Sequence, residues 1–278
     1  MADVLTHTRL HHFCLNAADP AALGDFYRRA MGMTLSARGD FVCAEAPGRT
    51  LLLRQGKANT FGFGAYAVGD AAEWEALVGR VKASGGSLPS PTPLLADAFA
   101  VRDPDGNMLV FGRVGPHDDV SQDAGSLPAR LQHLVIATTD VKKVLAFYTE
   151  VLGFVLSDLV TDDQDDVTAA FLRSDAEHHS FAIFRAARAR LDHHSYEAGE
   201  WIRIRDWADH FAKNEIRLSW GPGRHGPGNN LFCFVHDPEG NWLEISAELE
   251  ICEPNRPVGR WPHTERTLNS WGQAFLRS

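Results

Sequence analysis

Three short segments in the second half of the chain carry side chains able to hold a metal. His133 lies in Leu131-Gln132-His133-Leu134-Val135-Ile136 and Glu244 in Asn241-Trp242-Leu243-Glu244-Ile245. A histidine pair, His193 and His194, lies in Arg190-Leu191-Asp192-His193-His194-Ser195-Tyr196-Glu197. Each segment is short and rich in apolar or aromatic residues, the pattern of a strand. Two imidazoles and one carboxylate make the facial triad that holds non-heme Fe(II) with open positions for substrate and O2. A closed structural zinc site wants four ligands, usually including cysteines. Cys14, Cys43, Cys233 and Cys252 are scattered and form no CxxC, so they read as reduced, packed residues.

The elements that position these residues belong to an internal repeat. Arg9-Leu10-His11-His12-Phe13 matches Arg130-Leu131-Gln132-His133-Leu134, and Phe26-Tyr27 followed by Gly32 matches Phe147-Tyr148 followed by Gly153, at the same offset. Asp103-Pro104-Asp105-Gly106-Asn107 matches Asp237-Pro238-Glu239-Gly240-Asn241 at a larger one, so the second copy carries a net insertion. One supersecondary plan is therefore used twice. In the second copy a strand precedes a helix that starts near Thr139 or Asp140, a suitable N-cap, and stops at Gly153. Strands are predicted near 169–172, 180–184 and 191–197, with a helix over 201–214. The plan is βαβββ repeated, an α+β architecture of tandem modules. It predicts an N-terminal domain over residues 1–115, a linker over 116–128, a second domain over 129–249 and a tail over 250–278 that wraps the second domain.

The repeat also separates the copies chemically. His12 stands where His133 does, but Val110 stands where Glu244 does. Valine cannot ligate, so the first copy is expected to be metal-free, with His12 a packed strand histidine. The fold alone does not demand a carboxylate there, and a buried unpaired carboxylate is costly. A metal supplies the reason for Glu244.

With 44% hydrophobic residues the chain can bury a substantial core. A formal net charge of −9 argues against a nucleic-acid or anionic-membrane surface. No apolar window has the length of a membrane span, and the first residues lack an apolar signal region. The expectation is a cytoplasmic protein without a membrane or nucleic-acid partner. The glycine-rich run Gly221–Asn230 lacks a Lys-Ser/Thr pair and is not a phosphate loop.

Gly223-Arg224-His225, then Phe232-Cys233-Phe234-Val235-His236-Asp237-Pro238-Glu239-Gly240 and Glu244, closely resemble the signature of type I extradiol ring-cleavage dioxygenases of the vicinal oxygen chelate superfamily. The two-copy layout matches as well, so the resemblance runs from about Arg9 to about Ala247. It implies two vicinal-oxygen-chelate domains, of which only the second holds a metal, Fe(II) or less often Mn(II). It implies cleavage of a catecholic ring beside its hydroxyls with O2, giving a muconic semialdehyde-type product, and a homo-oligomer. His133, His193 and Glu244 match the ligands; His193 is preferred to His194 because Arg190-Leu191-Asp192-His193 aligns with Arg130-Leu131-Gln132-His133. His179 matches the histidine that handles protons, and His225 one that hydrogen-bonds the substrate.

One position departs from the pattern. Phe234 stands where the family usually has a tyrosine, and a phenyl ring cannot donate a hydrogen bond. His236, two positions along the strand, is a candidate to serve the substrate instead, as are His263 and Arg266 in the tail. Phe181, Trp220, Phe232 and Phe234 are candidates for an apolar ring pocket. Two other classes occur on such a fold: a glyoxalase-like metal-dependent isomerase or transferase, and a metal-free small-molecule binder. The first commonly draws ligands from both copies, which Val110 opposes, and the complete His-His-Glu set opposes the second.

Overall fold

The computed structural model describes residues 4–113 and 127–276. The predicted linker lies outside the described residues except for its last two positions. The first copy runs β1 (Thr8–Ala17), α1 (Pro20–Met31), β2 (Thr34–Arg38), β3 (Phe41–Ala46) and β4 (Arg49–Gln55). It repeats the same order as β5 (Thr60–Val68), α2 (Ala71–Ala83), β6 (Leu88–Pro89), β7 (Ala96–Arg102) and β8 (Met108–Arg113). The second copy follows with β9 (Arg130–Thr138), α3 (Val141–Ala146), β10 (Val155–Thr161), β11 (Val167–Arg173) and β12 (Phe181–Arg185). Its other half is β13 (Arg190–Glu197), α4 (Trp201–Lys213), β14 (Trp220–Arg224), β15 (Leu231–His236) and β16 (Trp242–Ala247). The tail adds β17 (Gly259–Pro262) and α5 (Glu265–Leu268). The βαβββ unit thus occurs twice within each copy, and the α+β expectation holds.

Each copy forms one sheet in which the two units meet through their first strands. The orders are β2-β3-β4-β1-β5-β8-β7-β6 and β14-β15-β16-β13-β9-β12-β11-β10-β17. The ninth strand of the second sheet comes from the tail, where β17 lies parallel to β10. Among the described residues no helix is long and apolar enough to cross a membrane.

The helix boundaries follow local chemistry. Asp19 caps α1 by accepting from the backbone N–H groups of Ala21 and Ala22, with Pro20 as first helical residue. Asp140 caps α3 through Lys143 N–H. The predicted helix does reach Gly153, which ends it in the left-handed region at φ 84°, but its final turns, Phe147–Leu152, widen to a π-helix. There the Thr149 hydroxyl donates to the carbonyls of Leu145 at 2.9 Å and Ala146 at 3.3 Å, competing with the backbone ladder.

The repeated motifs interlock the copies. Tyr27 of the first copy donates to Asp237 of the second at 3.0 Å, and Tyr148 of the second donates to Asp103 of the first at 3.3 Å. Arg80 of α2 donates to the carbonyls of Val151 and Leu152, and the ring Nε2 of His210 on α4 meets those of Arg29 and Ala30. Each copy therefore caps a helix end of the other. A single apolar core, including Phe13, Tyr27, Tyr66, Tyr148, Phe154, Phe181 and Trp207, is continuous through both copies. Two smaller clusters occupy the opposite faces of the sheets, one per copy. All four cysteines are buried and unbonded.

Candidate metal centre

Strand β13 lies between β9 and β16, and its register brings the three candidate ligands together. Ser195 is opposite both His133 on β9 and Glu244 on β16. Side chains two apart on a strand share a face, so His193 joins His133 and Glu244. Their ligand atoms all lie within 4.8 Å of one another, and all three residues are buried. His194 turns to the opposite face, where its Nε2 lies 3.1 Å from the Tyr27 hydroxyl and burial pushes its pKa down to about 3.

The same register places apolar residues at the matching positions of the first copy. His12 is opposite Ala65, which is opposite Val110, so Ala65 takes the place of Ser195 and Phe63 the place of His193. Phe63 and Val110 pack into that copy's apolar cluster with Cys14, Leu52 and Leu95. His12 is fully buried, with Nε2 3.0 Å from the Thr92 hydroxyl and Nδ1 2.7 Å from Nδ1 of His11. It is the packed strand histidine the sequence led us to expect.

Both candidate ligand histidines follow a β-bulge. Pairing jumps from Leu191 to His193, leaving Asp192 extra, and from Leu131 to His133, leaving Gln132 extra. Bulges re-aim side chains, and here the extra residue turns onto its neighbour's imidazole. Asp192 Oδ1 lies 2.8 Å from His193 Nδ1, and Gln132 Oε1 accepts from His133 Nδ1–H. Gln132 cannot reverse its amide, because its Nε2 donates to the His179 carbonyl at 2.6 Å and to Glu177 at 3.2 Å. Each acceptor draws the imidazole proton to Nδ1 and leaves Nε2 bare, the form a metal requires.

Glu244 supplies the test of fit. It is 1% exposed, and neither carboxylate oxygen has a hydrogen-bond partner. His133 Nε2 lies 3.0 Å from Oε2, His193 Nε2 3.6 Å from Oε2 and His225 Nε2 3.5 Å from Oε1, without the direction a hydrogen bond needs. Burial opposes the charge on Glu244, and only protons on the facing imidazoles, His133 foremost, or a bound cation would offset it. Burial likewise lowers His133 and favours its neutral form. A buried carboxylate with two orphaned oxygens costs several kcal/mol. A divalent cation facing two bare imidazole nitrogens satisfies all of these atoms, so the donor set fits.

Beside the candidate ligands is a cleft lined by His133, His193 and Glu244 together with His179, His225 and Phe234. Burial drives the His179 pKa far down, so its ring stands neutral. Its Nδ1 lies 3.0 Å from Nδ1 of His178, whose Nε2 lies 3.1 Å from Asp158 Oδ2. Burial opposes the Asp158 charge, but His178, Arg256 and Trp261 outweigh it. The two Nδ1 atoms share one hydrogen, so one of these rings donates to the other. His225 donates from Nδ1 to the Leu268 carbonyl and stacks on Phe232 with centroids 4.0 Å apart.

Several expectations need correction. His236 shares the face of Phe234, but it is exposed, stacks on Trp242 and does not line the cavity. Phe181 points into the main core, stacked on Tyr148 at 4.1 Å, and Phe232 backs His225 instead of lining the cavity. In the tail it is Thr267 and Leu268 that line it, whereas Arg266 is exposed. The tail is stitched on by the backbone bonds Gly226 N–H to Thr267 O and Ser270 N–H to Arg224 O. Sequence reasoning missed the cavity walls Val135, Phe171 and Phe184 as well as the roles of Gln132 and Asp192. A polar residue directly before each ligand histidine was the signal available for those two.

A family model described as the Glyoxalase/Bleomycin resistance protein/Dioxygenase superfamily matches residues 9–111 and 130–245. Metapyrocatechase 2 of Cupriavidus necator is 31% identical over 196 residues, covering 61% of this chain and 59% of that protein. A 3-methylcatechol 2,3-dioxygenase of Pseudomonas putida is 40% identical over 150 residues, covering 52% of this chain and 50% of that protein. The chain thus spans less than two thirds of the length of these relatives. Homoprotocatechuate 2,3-dioxygenase from Arthrobacter globiformis superimposes with a TM-score of 0.83 at 25% identity, covering 99% of this chain and 90% of that one.

Proposed function

The chain belongs to the glyoxalase/bleomycin resistance protein/dioxygenase superfamily, and from that membership we propose that it is an extradiol dioxygenase. It opens a catecholic ring beside its two hydroxyls and incorporates both atoms of O2. His133, His193 and Glu244 hold the metal, Fe(II) in preference to Mn(II). The observation that carries this reading is the pair of orphaned Glu244 oxygens facing imidazole nitrogens beside a largely apolar cleft.

A metal bound there lowers the pKa of a coordinated phenol and brings substrate and O2 together. The residues of the chain do the rest. His179, neutral and with one ring nitrogen free, takes a proton from a catechol hydroxyl and returns it later as a general acid. His225, fixed by the Leu268 carbonyl and the Phe232 ring, has Nε2 turned to the Glu244 side of the cavity and holds a substrate oxygen. Phe234, Trp220 and Val135 fill the space beside the ligands with apolar surface that excludes water from the ring. The isomerase reading is disfavoured because Phe63 and Val110 leave His12 of the first copy without partner donors at the matching positions. A metal-free binder has no use for the orphaned carboxylate.

The test is O2 uptake by Fe(II)-reconstituted protein with catechol or 3-methylcatechol. One O2 consumed per ring, with a yellow ring-opened product, supports the reading; uptake that survives in Glu244→Ala refutes it.

A further inference from the structure

Resting on that functional reading, we infer that this site selects catechols whose ring substituents are uncharged and apolar, and turns away those bearing a carboxylate. The walls beyond the metal ligands and the two histidines are Val135, Phe171, Phe184, Trp220, Phe234 and Leu268, with Thr267, Asn230 and Pro227 completing them. Most of these belong to one apolar cluster on the concave face of the second sheet, separate from the main core. No lysine or arginine lines the cavity among the described residues.

Of the arginines beside cavity residues in the chain, two are paired elsewhere and one is exposed. Arg185, after Phe184, pairs with Asp162 at 2.8 Å. Arg224, before His225, pairs with Glu248 at 2.7 Å and lies over Trp271. Arg266, before Thr267, is exposed. Every lining residue except His225 is buried, so a side arm on the bound ring is enclosed by the walls instead of reaching water.

Charge counting then decides. A divalent cation, the Glu244 carboxylate and a singly deprotonated catechol together carry no net charge. A second carboxylate on the substrate would be an extra anion with no cation to pair with and almost no donor to bond it. Burying an unpaired carboxylate is strongly unfavourable. An alkyl arm of the same size gains from the same walls, because apolar surface leaves water. Leu268 comes from the tail, so specificity is set partly by a segment outside the βαβββ units.

The experiment compares 4-ethylcatechol with 3,4-dihydroxyphenylacetate, which places a carboxylate where the former has a methyl. Their dissociation constants are measured anaerobically on the Fe(II)-loaded protein by calorimetry. The expected result is binding of 4-ethylcatechol tighter by about 100-fold or more, equivalent to about 2.8 kcal/mol. Leu268→Arg, which places a cation in the wall, should narrow that ratio by at least ~10-fold. Equal or tighter binding of the acid by the natural protein overturns the inference, whatever the variant does. Failure of both compounds to bind overturns the catechol reading itself.

Discussion

Gln132 touches no substrate, yet the geometry makes it a determinant of metal affinity. Its Oε1 accepts the His133 Nδ1 proton while its amide nitrogen is anchored to the His179 carbonyl at 2.6 Å. Gln132→Leu removes the acceptor, and the freed imidazole can move its proton to Nε2, the atom the metal needs. Loss of such a partner typically weakens metal binding by about 10- to 100-fold. At a metal concentration about 100 times the wild-type Kd, binding adds ~2.7 kcal/mol of stability. At the same concentration the variant keeps only ~1.4 to ~0.4 kcal/mol. At roughly 2–4 °C per kcal/mol for a chain of this size, the metal-induced rise in Tm should fall from about 5–11 °C to about 1–6 °C. Scanning calorimetry with and without Fe(II) or Mn(II) reads this difference and is insensitive to the variant's own metal-free stability. A full wild-type rise in Gln132→Leu would refute the reasoning.

Further outcomes follow from the other residues. His12→Ala should leave metal content unchanged, because the first copy presents Phe63 and Val110 in place of ligands; iron loss from a folded variant, measured by elemental analysis, would overturn that assignment. His179→Asn should retain metal and anaerobic catechol binding while turnover falls by roughly 10²–10⁴-fold; unchanged single-turnover kinetics would remove its proton role. Burial raises the Glu197 carboxyl from 4.5 to about 7. Its folded pKa thus lies above the unfolded one, and its contribution is fully present below pH 4.5 and lost as pH rises through 7. Relative to wild type, Glu197→Gln should therefore gain on the order of 3 kcal/mol between those limits, and a pH-independent difference in denaturant unfolding would show that Glu197 does not titrate as described.

The clustering of His133, His193 and Glu244 was legible because the chain compares itself with itself. His12 beside His133 and Val110 beside Glu244 marked one copy as bearing a carboxylate the fold does not require. The Tyr and Asp of the repeated motifs were visible as well, but their purpose was not. Tyr27 to Asp237 and Tyr148 to Asp103 are contacts across copies, and sequence offsets carry no such information. The bulges at Gln132 and Asp192 were hidden because β9 and β13 are buried on both faces and show no alternation for an extra residue to break. The cavity wall was misread by one face of a pleat: Phe181 and Phe184 share a strand, yet only Phe184 faces the site. The tail shows no period because backbone bonds to the His225 loop hold it in place more than apolar spacing does. Its contribution, Thr267 and Leu268, therefore appears only in three dimensions.

The central claim is that His133, His193 and Glu244 hold a metal with which the chain inserts O2 into a catecholic ring. Mass spectrometry of the product formed from 3-methylcatechol under isotopically labelled O2 tests it most directly. The account predicts both labelled atoms in a single ring-opened product, from metal-loaded wild-type protein and not from Glu244→Ala. A product carrying one labelled atom or none, or labelling that persists without Glu244, would contradict it.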